Sequence, residues 1–226
     1  VLLTAGESKL ARECLERAAT NRSFARLDLA VAIYQMEGAP AALKVLDALP
    51  PNELTGDALL LKASILELAG RRAEAEKVLD EGLRHASMKP RVIEQAVLLL
   101  VRLEREAEGL NLLEQAIRSH PQSDLLLLKA IVLAFMDRSA AAEKALQDVE
   151  LRWPEWDRAY LVHGLVSESS GRMKEARQKL QTAAALGSKD PALTCALDRL
   201  SGNAASAPEC TCSKGLEQLL FKRCTR

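Results

Sequence analysis

Five short segments of this chain spell nearly the same thing at a nearly constant spacing. Ala42-Leu43-Lys44-Val45-Leu46-Asp47 returns as Ala75-Glu76-Lys77-Val78-Leu79-Asp80, and more loosely in the six residues that begin at Gly109, Ala142 and Ala176. The anchors 42, 75, 109, 142 and 176 lie alternately 33 and 34 residues apart. Self-similarity at such a period marks a stack of supersecondary units, each burying the apolar face that its neighbour would otherwise expose. Contacts in such an array are local, so its 226 residues need not share one large core.

Each unit reads as helix, short turn, helix. In the clearest, residues 57–69 carry Ala58, Leu59, Leu60, Leu61, Ile65, Leu66 and Leu68 at helical steps. Gly70-Arg71-Arg72 then makes a turn, and residues 73–84 continue as a second helix. No stretch alternates with period two for long enough to suggest a strand. Small residues recur at two fixed places: Ala63, Ala130 and Gly164 before the turn, and Ala75, Ala142 and Ala176 after it. Small side chains there let the two helices of a pair approach closely, whereas a large one would push them apart.

With Gly70 and Gly171 in turns and Pro90, Pro121 and Pro154 beyond second helices, the pattern resembles the tetratricopeptide repeat. Residues 157–190 match it through Tyr160, Gly164, Gly171, Ala176, Leu180 and Ala183, and residues 123–156 through Leu126, Ala130, Ala142, Leu146 and Pro154. Residues 90–122 match through Ile93, Ala96 (one place early), Gly109, Leu113, Ala116 and Pro121. The weakest repeat is 23–55, where Ala30, Ala42 and Leu46 fit but Arg26 stands in place of a bulky residue. The pattern departs again at Lys62, Lys129 and His163, where the family usually has Leu. Either those helices rotate slightly or the lysines snorkel. The resemblance covers residues 7–200 and implies an all-α fold, a right-handed α-α superhelix of antiparallel helix pairs. The expected divisions are a truncated repeat in 1–22, repeats at 23–55, 56–89, 90–122, 123–156 and 157–190, a capping helix at 191–200 and a tail at 201–226.

Lys plus Arg and Asp plus Glu both number 31, and aromatics make up 3% of residues. No basic surface with stacking aromatics is therefore expected, and nucleic acid is not an expected partner. The longest apolar runs, 96–101 and 130–136, fall well short of the roughly 18 residues that span a bilayer, so membrane insertion is not expected either. The chain starts without Met and in mid-pattern, which reads as a piece of a longer protein. Two cysteines within helices and no visible signal peptide lean toward the cytoplasm, with the periplasm left open. The Ala- and Leu-rich repeats suggest a bacterial source.

Chemistry is sparse. His85, His120 and His163 lie in separate repeats with no partner at ligand spacing and read as surface or packing residues. No Gly-rich phosphate loop follows a strand. Neither an enzyme nor a cofactor is expected. The tail alone concentrates reactive groups, with Cys210, Cys212 and Cys224 close together. Three readings stay open there: free thiols, a disulfide from Cys224 to Cys210 or Cys212 in an oxidising compartment, and zinc ligation. The last faintly resembles the terminal rubredoxin-type knuckles of some bacterial tetratricopeptide proteins, but here the first knuckle is Cys-x-Cys and a fourth ligand is missing. Cys14 and Cys195, each alone in a helix, read as small apolar residues.

The resemblance implies that first helices line a concave groove. Its candidate binding residues are Leu27, Val31, Tyr34, Leu60, Ser64, Leu98, Leu127, Ile131, Leu161 and Leu165. Chaperone-binding members of the family place Lys, Asn and Arg there to clamp a terminal carboxylate. Leu60, Ser64, Leu127 and Ile131 cannot do so. An accessible stripe of this kind suits an apolar helix or peptide; the competing reading is that tight coiling buries the same leucines as core. The chain's own segment 214–223, with Leu216, Leu219, Leu220 and Phe221, is one candidate occupant. Burying four apolar side chains contributes about 6–12 kcal/mol, while ordering ten residues costs about 10–20 kcal/mol, so that docking would be weak. The leading expectation is thus a protein-protein interaction scaffold. The alternatives are a structural or self-associating (homo-oligomeric) array within a larger protein, and an adaptor regulated by metal or redox chemistry at the tail cysteines.

Overall fold

A computed structural model of the chain describes residues 23–87 and 89–201. Every regular element among them is helical; they contain no strand. The chain divides into two compact units, and the boundary lies between Leu99 and Leu100, inside a helix.

The first unit contains α1 (Ser23–Glu37), α2 (Ala39–Asp47), a 3-10 turn (Pro51–Glu53), α3 (Gly56–Leu68), α4 (Arg72–His85) and the first part of α5 (Pro90–Arg102). Gly38, at φ 88°, breaks the chain between α1 and α2, and Pro40 presets the first turn of α2. The Thr55 hydroxyl caps α3 by accepting from the Ala58 amide at 3.3 Å. At the far end of α3, Gly70 turns left-handed at φ 76°. The Arg71 amide then donates to the Leu66 carbonyl and the Gly70 amide to the Glu67 carbonyl, both at 2.9 Å. This is the Schellman arrangement, which satisfies carbonyls the helix leaves unpaired. Helices α1 and α2 pack as one antiparallel pair and α3 and α4 as another, and α2 packs on α3. Ala30, Ala42, Ala63 and Ala75 are fully buried where the partners meet, with Leu46 and Leu79 beside them.

The second unit holds the rest of α5, then α6 (Glu106–Ser119), α7 (Ser123–Phe135), α8 (Ser139–Arg152), α9 (Asp157–Ser169), α10 (Met173–Ala185) and α11 (Pro191–Ser201). The same left-handed turn recurs at Glu104, Asp137, Gly171 and Gly187. At Glu104 and Asp137 a side chain occupies a conformation that glycine adopts freely. The turn forms there too: Arg105 donates to Leu100 at 2.8 Å and Arg138 to Leu133 at 2.9 Å. Helices α7 and α8, and α9 and α10, form the pairs, with α11 packed on α10. Two contacts of Arg199 with Glu168, at 2.9 and 2.8 Å, tie α11 to α9. The Arg177 guanidinium also donates to the Leu200 carbonyl at 2.6 Å.

The residues that depart from the family pattern next to the small crossing residues behave alike in the two units. Lys62 pairs with Asp47 at 2.6 Å and Lys129 with Glu114 at 2.9 Å, each reaching back to the second helix of the preceding pair. Their side chains are 26% and 29% exposed, so the aliphatic stems are covered while the ammonium groups stay near water.

The crossing between α9 and α10 leaves no room for a side chain at Gly164. A Cβ on Gly164 would stand 2.6 Å from Leu180 Cγ and 3.2 Å from the Ala176 carbonyl oxygen. Replacing a helical glycine by alanine ordinarily gains about 1 kcal/mol, whereas overpacking a dense core costs about 1–3 kcal/mol. Leu180 is fully buried and has no room to retreat, so the overlap should win. Gly164→Ala is expected to lower stability by about 1 kcal/mol in urea unfolding; a gain in stability would show that the crossing is looser than the geometry indicates.

Candidate functional site

The stripe of first-helix residues expected to line a groove divides sharply by accessibility. Leu60, Leu127, Ile131, Leu161 and Leu165 are at most 4% exposed. Leu27, Tyr34, Ser64 and Leu98 are half-buried, and Val31 is 38% exposed. The five buried residues form core and offer no accessible surface. The physical reason lies in the coiling: within each unit neighbouring first helices pack side by side, α1 on α3 and α7 on α9, so residues facing along that seam are covered. The accessible remainder of the stripe is concentrated on α1, where Leu27, Val31 and Tyr34 follow at helical steps, with Ser64 on α3.

The second unit holds a polar cluster that sequence spacing did not reveal. His163, on α9, is fully buried. Its Nδ1 lies 2.7 Å from Glu150 Oε1 on α8, and the Lys179 ammonium donates to Glu150 Oε2 at 2.5 Å. The other ring nitrogen, Nε2, is buried without a hydrogen-bond partner and lies 3.5 Å from Glu175 Oε1 on α10. Arg172 bridges two carboxylates, reaching Glu175 Oε2 at 2.7 Å and Glu143 Oε2 at 3.0 Å. Burial pushes the Glu150 carboxyl up, but hydrogen bonds from His163 and then Lys179 outweigh it and hold the group below its ordinary value. Burial acts on Glu175 in the same sense, and the Arg172 hydrogen bond reverses it likewise. The expectation that His163 has no partner at ligand spacing is therefore corrected. Its partners come from other helices and are invisible to spacing along one helix. The available signal was His163 itself, a polar residue where the family pattern has Leu, next to the crossing glycine.

Comparison with known proteins follows the same lines. Residues 127–191 match the family model for the tetratricopeptide repeat. That segment carries the tetratricopeptide pattern. No curated protein matches the sequence. Among solved structures, the fold is similar to PilW, a type IV pilus biogenesis factor, at 19% identity and TM-score 0.62, covering 88% of this chain and 98% of that one. A thermophilic tetratricopeptide protein of Thermus thermophilus aligns at 20% identity and TM-score 0.57, over 80% of this chain and 98% of that one. YrrB, a tetratricopeptide protein described as having an unusual peptide-binding site, aligns at 18% identity and TM-score 0.54, over 84% and 99%. At these identities the likeness shows the fold alone.

Two further features lie in the second unit. Between α8 and α9, Trp153 and Trp156 meet edge to face at 6.4 Å and 74°. With Ser123, Arg152, Pro154 and Glu155 they line an open surface hollow of about 510 Å³. On α11, the buried Cys195 is disulfide-bonded, which corrects the expectation of a lone apolar cysteine there. Cys14, Cys210, Cys212 and Cys224, the truncated unit in 1–22 and the segment 214–223 all lie outside the described residues. No helix among the described residues is long and apolar enough to cross a membrane.

Leu127, at 2% exposure, separates core from surface most directly. Leu127→Asp places an unpaired carboxylate in the interior and is expected to destabilise the second unit by several kcal/mol, read as a large fall in Tm by circular dichroism. Retention of the wild-type Tm would restore Leu127 to an accessible face.

Proposed function

We propose that this chain is a protein-protein interaction scaffold that holds an apolar helix or peptide against the accessible first-helix residues of its first unit. One observation carries the reading: Val31 is an exposed apolar side chain flanked at helical steps by the half-buried Leu27 and Tyr34. Three apolar side chains on one helical face can receive the apolar face of a partner helix, which reads such a surface through residues three and four apart. Tyr34 adds a large, stiff contact with a polar tip, a residue type that often anchors interfaces. Binding is the usual task of tetratricopeptide folds, and the similarity to a protein described as having a peptide-binding site supports a peptide or helix as the ligand class. The reading assigns the chain no catalytic role.

A photoreactive phenylalanine analogue placed at Val31 tests this, with the same group at Leu151 as control, since Leu151 on α8 is 83% exposed. The expected result is a covalent adduct to a defined partner segment from position 31 that is absent from position 151. Val31→Asp, at the exposed position, should abolish that adduct when the probe is moved to Leu27, with the Tm nearly unchanged. Equal labelling from positions 31 and 151, or none from 31, would discard the α1 surface.

A further inference from the structure

We propose that Glu143, His163 and Glu175 form a binding site for a divalent transition-metal ion of the zinc class. Their candidate ligand atoms all lie within 4.8 Å of one another, and all three residues belong to the second unit. The observation that points to an ion is the imidazole. His163 is 0% exposed and its Nε2 has no hydrogen-bond partner, yet it faces a carboxylate. A buried nitrogen left this way carries a desolvation cost that some ligand should offset.

The spacing suits a metal better than a hydrogen bond. His163 Nε2 and Glu175 Oε1 are 3.5 Å apart, longer than the usual N–H···O distance of about 2.9–3.0 Å. Two ligands of one tetrahedral zinc ion, each about 2.0–2.2 Å from it, stand roughly 3.3–3.6 Å apart. Glu143 completes the set; its side chain is 28% exposed and can make the remaining adjustment by rotation. One imidazole and two carboxylates leave a fourth, solvent-facing position, a donor set that zinc and its first-row neighbours accept.

The surroundings are those of a supported ligand set. Glu150 Oε1 lies 2.7 Å from Nδ1, so the tautomer that pairs with this carboxylate carries its proton on Nδ1 and its lone pair on Nε2. A carboxylate on the far nitrogen of a ligating histidine fixes its tautomer and raises its basicity. Lys179 in turn holds the second oxygen of Glu150. Arg172 binds Oε2 of both Glu143 and Glu175, which orients those carboxylates; Oε1 of Glu175 faces Nε2, and Oε1 of Glu143 accepts from the Gln147 side-chain amide at 3.2 Å, an exposed contact that a metal ion would displace.

The chain has three histidines; His85 is exposed at the end of α4 and His120 is exposed just past the end of α6, so they serve as internal controls. The experiment is proton NMR of the histidine ring signals of the full chain, cleared of metal with a chelator, during titration with Zn²⁺ at neutral pH. The expected result is that one equivalent of Zn²⁺ moves the His163 signals and leaves those of His85 and His120 in place. The response should persist when Cys210→Ser, Cys212→Ser and Cys224→Ser are combined, and vanish in Glu143→Gln with Glu175→Gln, both partly exposed positions where folding should survive. Glu150→Gln should weaken the response by about 10–100-fold. His163 signals unmoved by excess Zn²⁺, or moved equally in the double Gln variant, would overturn the site. A His163 that responds to acid but not to zinc would mark Nε2 as a proton site and overturn it as well.

Discussion

The close crossing of the two helices within each pair is the constraint on which the rest depends. Ala63 with Ala75, Ala130 with Ala142, and Gly164 with Ala176 are positions where backbones approach so nearly that little more than a methyl group fits. That approach brings the flanking leucines, Leu79, Leu146 and Leu180, into full burial. It also sets the turn between the helices, which must reverse the chain in a few residues. The left-handed residue at Gly70, Glu104, Asp137 and Gly171 provides the reversal, with the donors after it closing the helix end. Crossing and turn are thus two halves of one device, repeated along the chain.

A residue beside such a crossing is carried toward the interior whatever its chemistry. Where that residue is Lys62 or Lys129, a long stem reaches out and the charge finds an acid on the preceding second helix. Where it is His163, the ring is too short to reach water, and the acids must come to it. Glu150, Glu143 and Glu175 do so from the helices on either side, bringing Arg172 and Lys179 with them. The polar cluster therefore follows from the repeat geometry combined with one substitution. The same geometry covers the first-helix leucines, because helices packed closely in pairs also lie closely side by side.

Much of the fold was legible in the sequence because helical repeats write themselves locally. The spacing of apolar residues, the small residues at 63, 75, 130, 142, 164 and 176, and Gly70 and Gly171 each act within a few residues of their own position. Glu104 and Asp137 show where that legibility ends. Glu104 gives no chemical sign of a left-handed turn and the aspartate at 137 only a weak one, so the period of the array is what puts the turns there. The candidate site was less legible still. Leu27, Val31 and Tyr34 share an apolar character with Leu60, Leu127, Ile131, Leu161 and Leu165, and what distinguishes the two groups is which neighbouring helix covers them. Cys195 gives the same lesson, since its sequence neighbourhood is that of an ordinary apolar cysteine while the structure has it disulfide-bonded.

By itself the sequence determined that this protein is a stack of antiparallel helix pairs, because periodicity, turn residues and small crossing residues are local properties of the chain. Only the tertiary structure decided which apolar side chains are core and which are surface, and which charged groups surround His163. Both depend on helices far apart in sequence coming to share a seam, and the free energy of burial belongs to that seam rather than to any one residue.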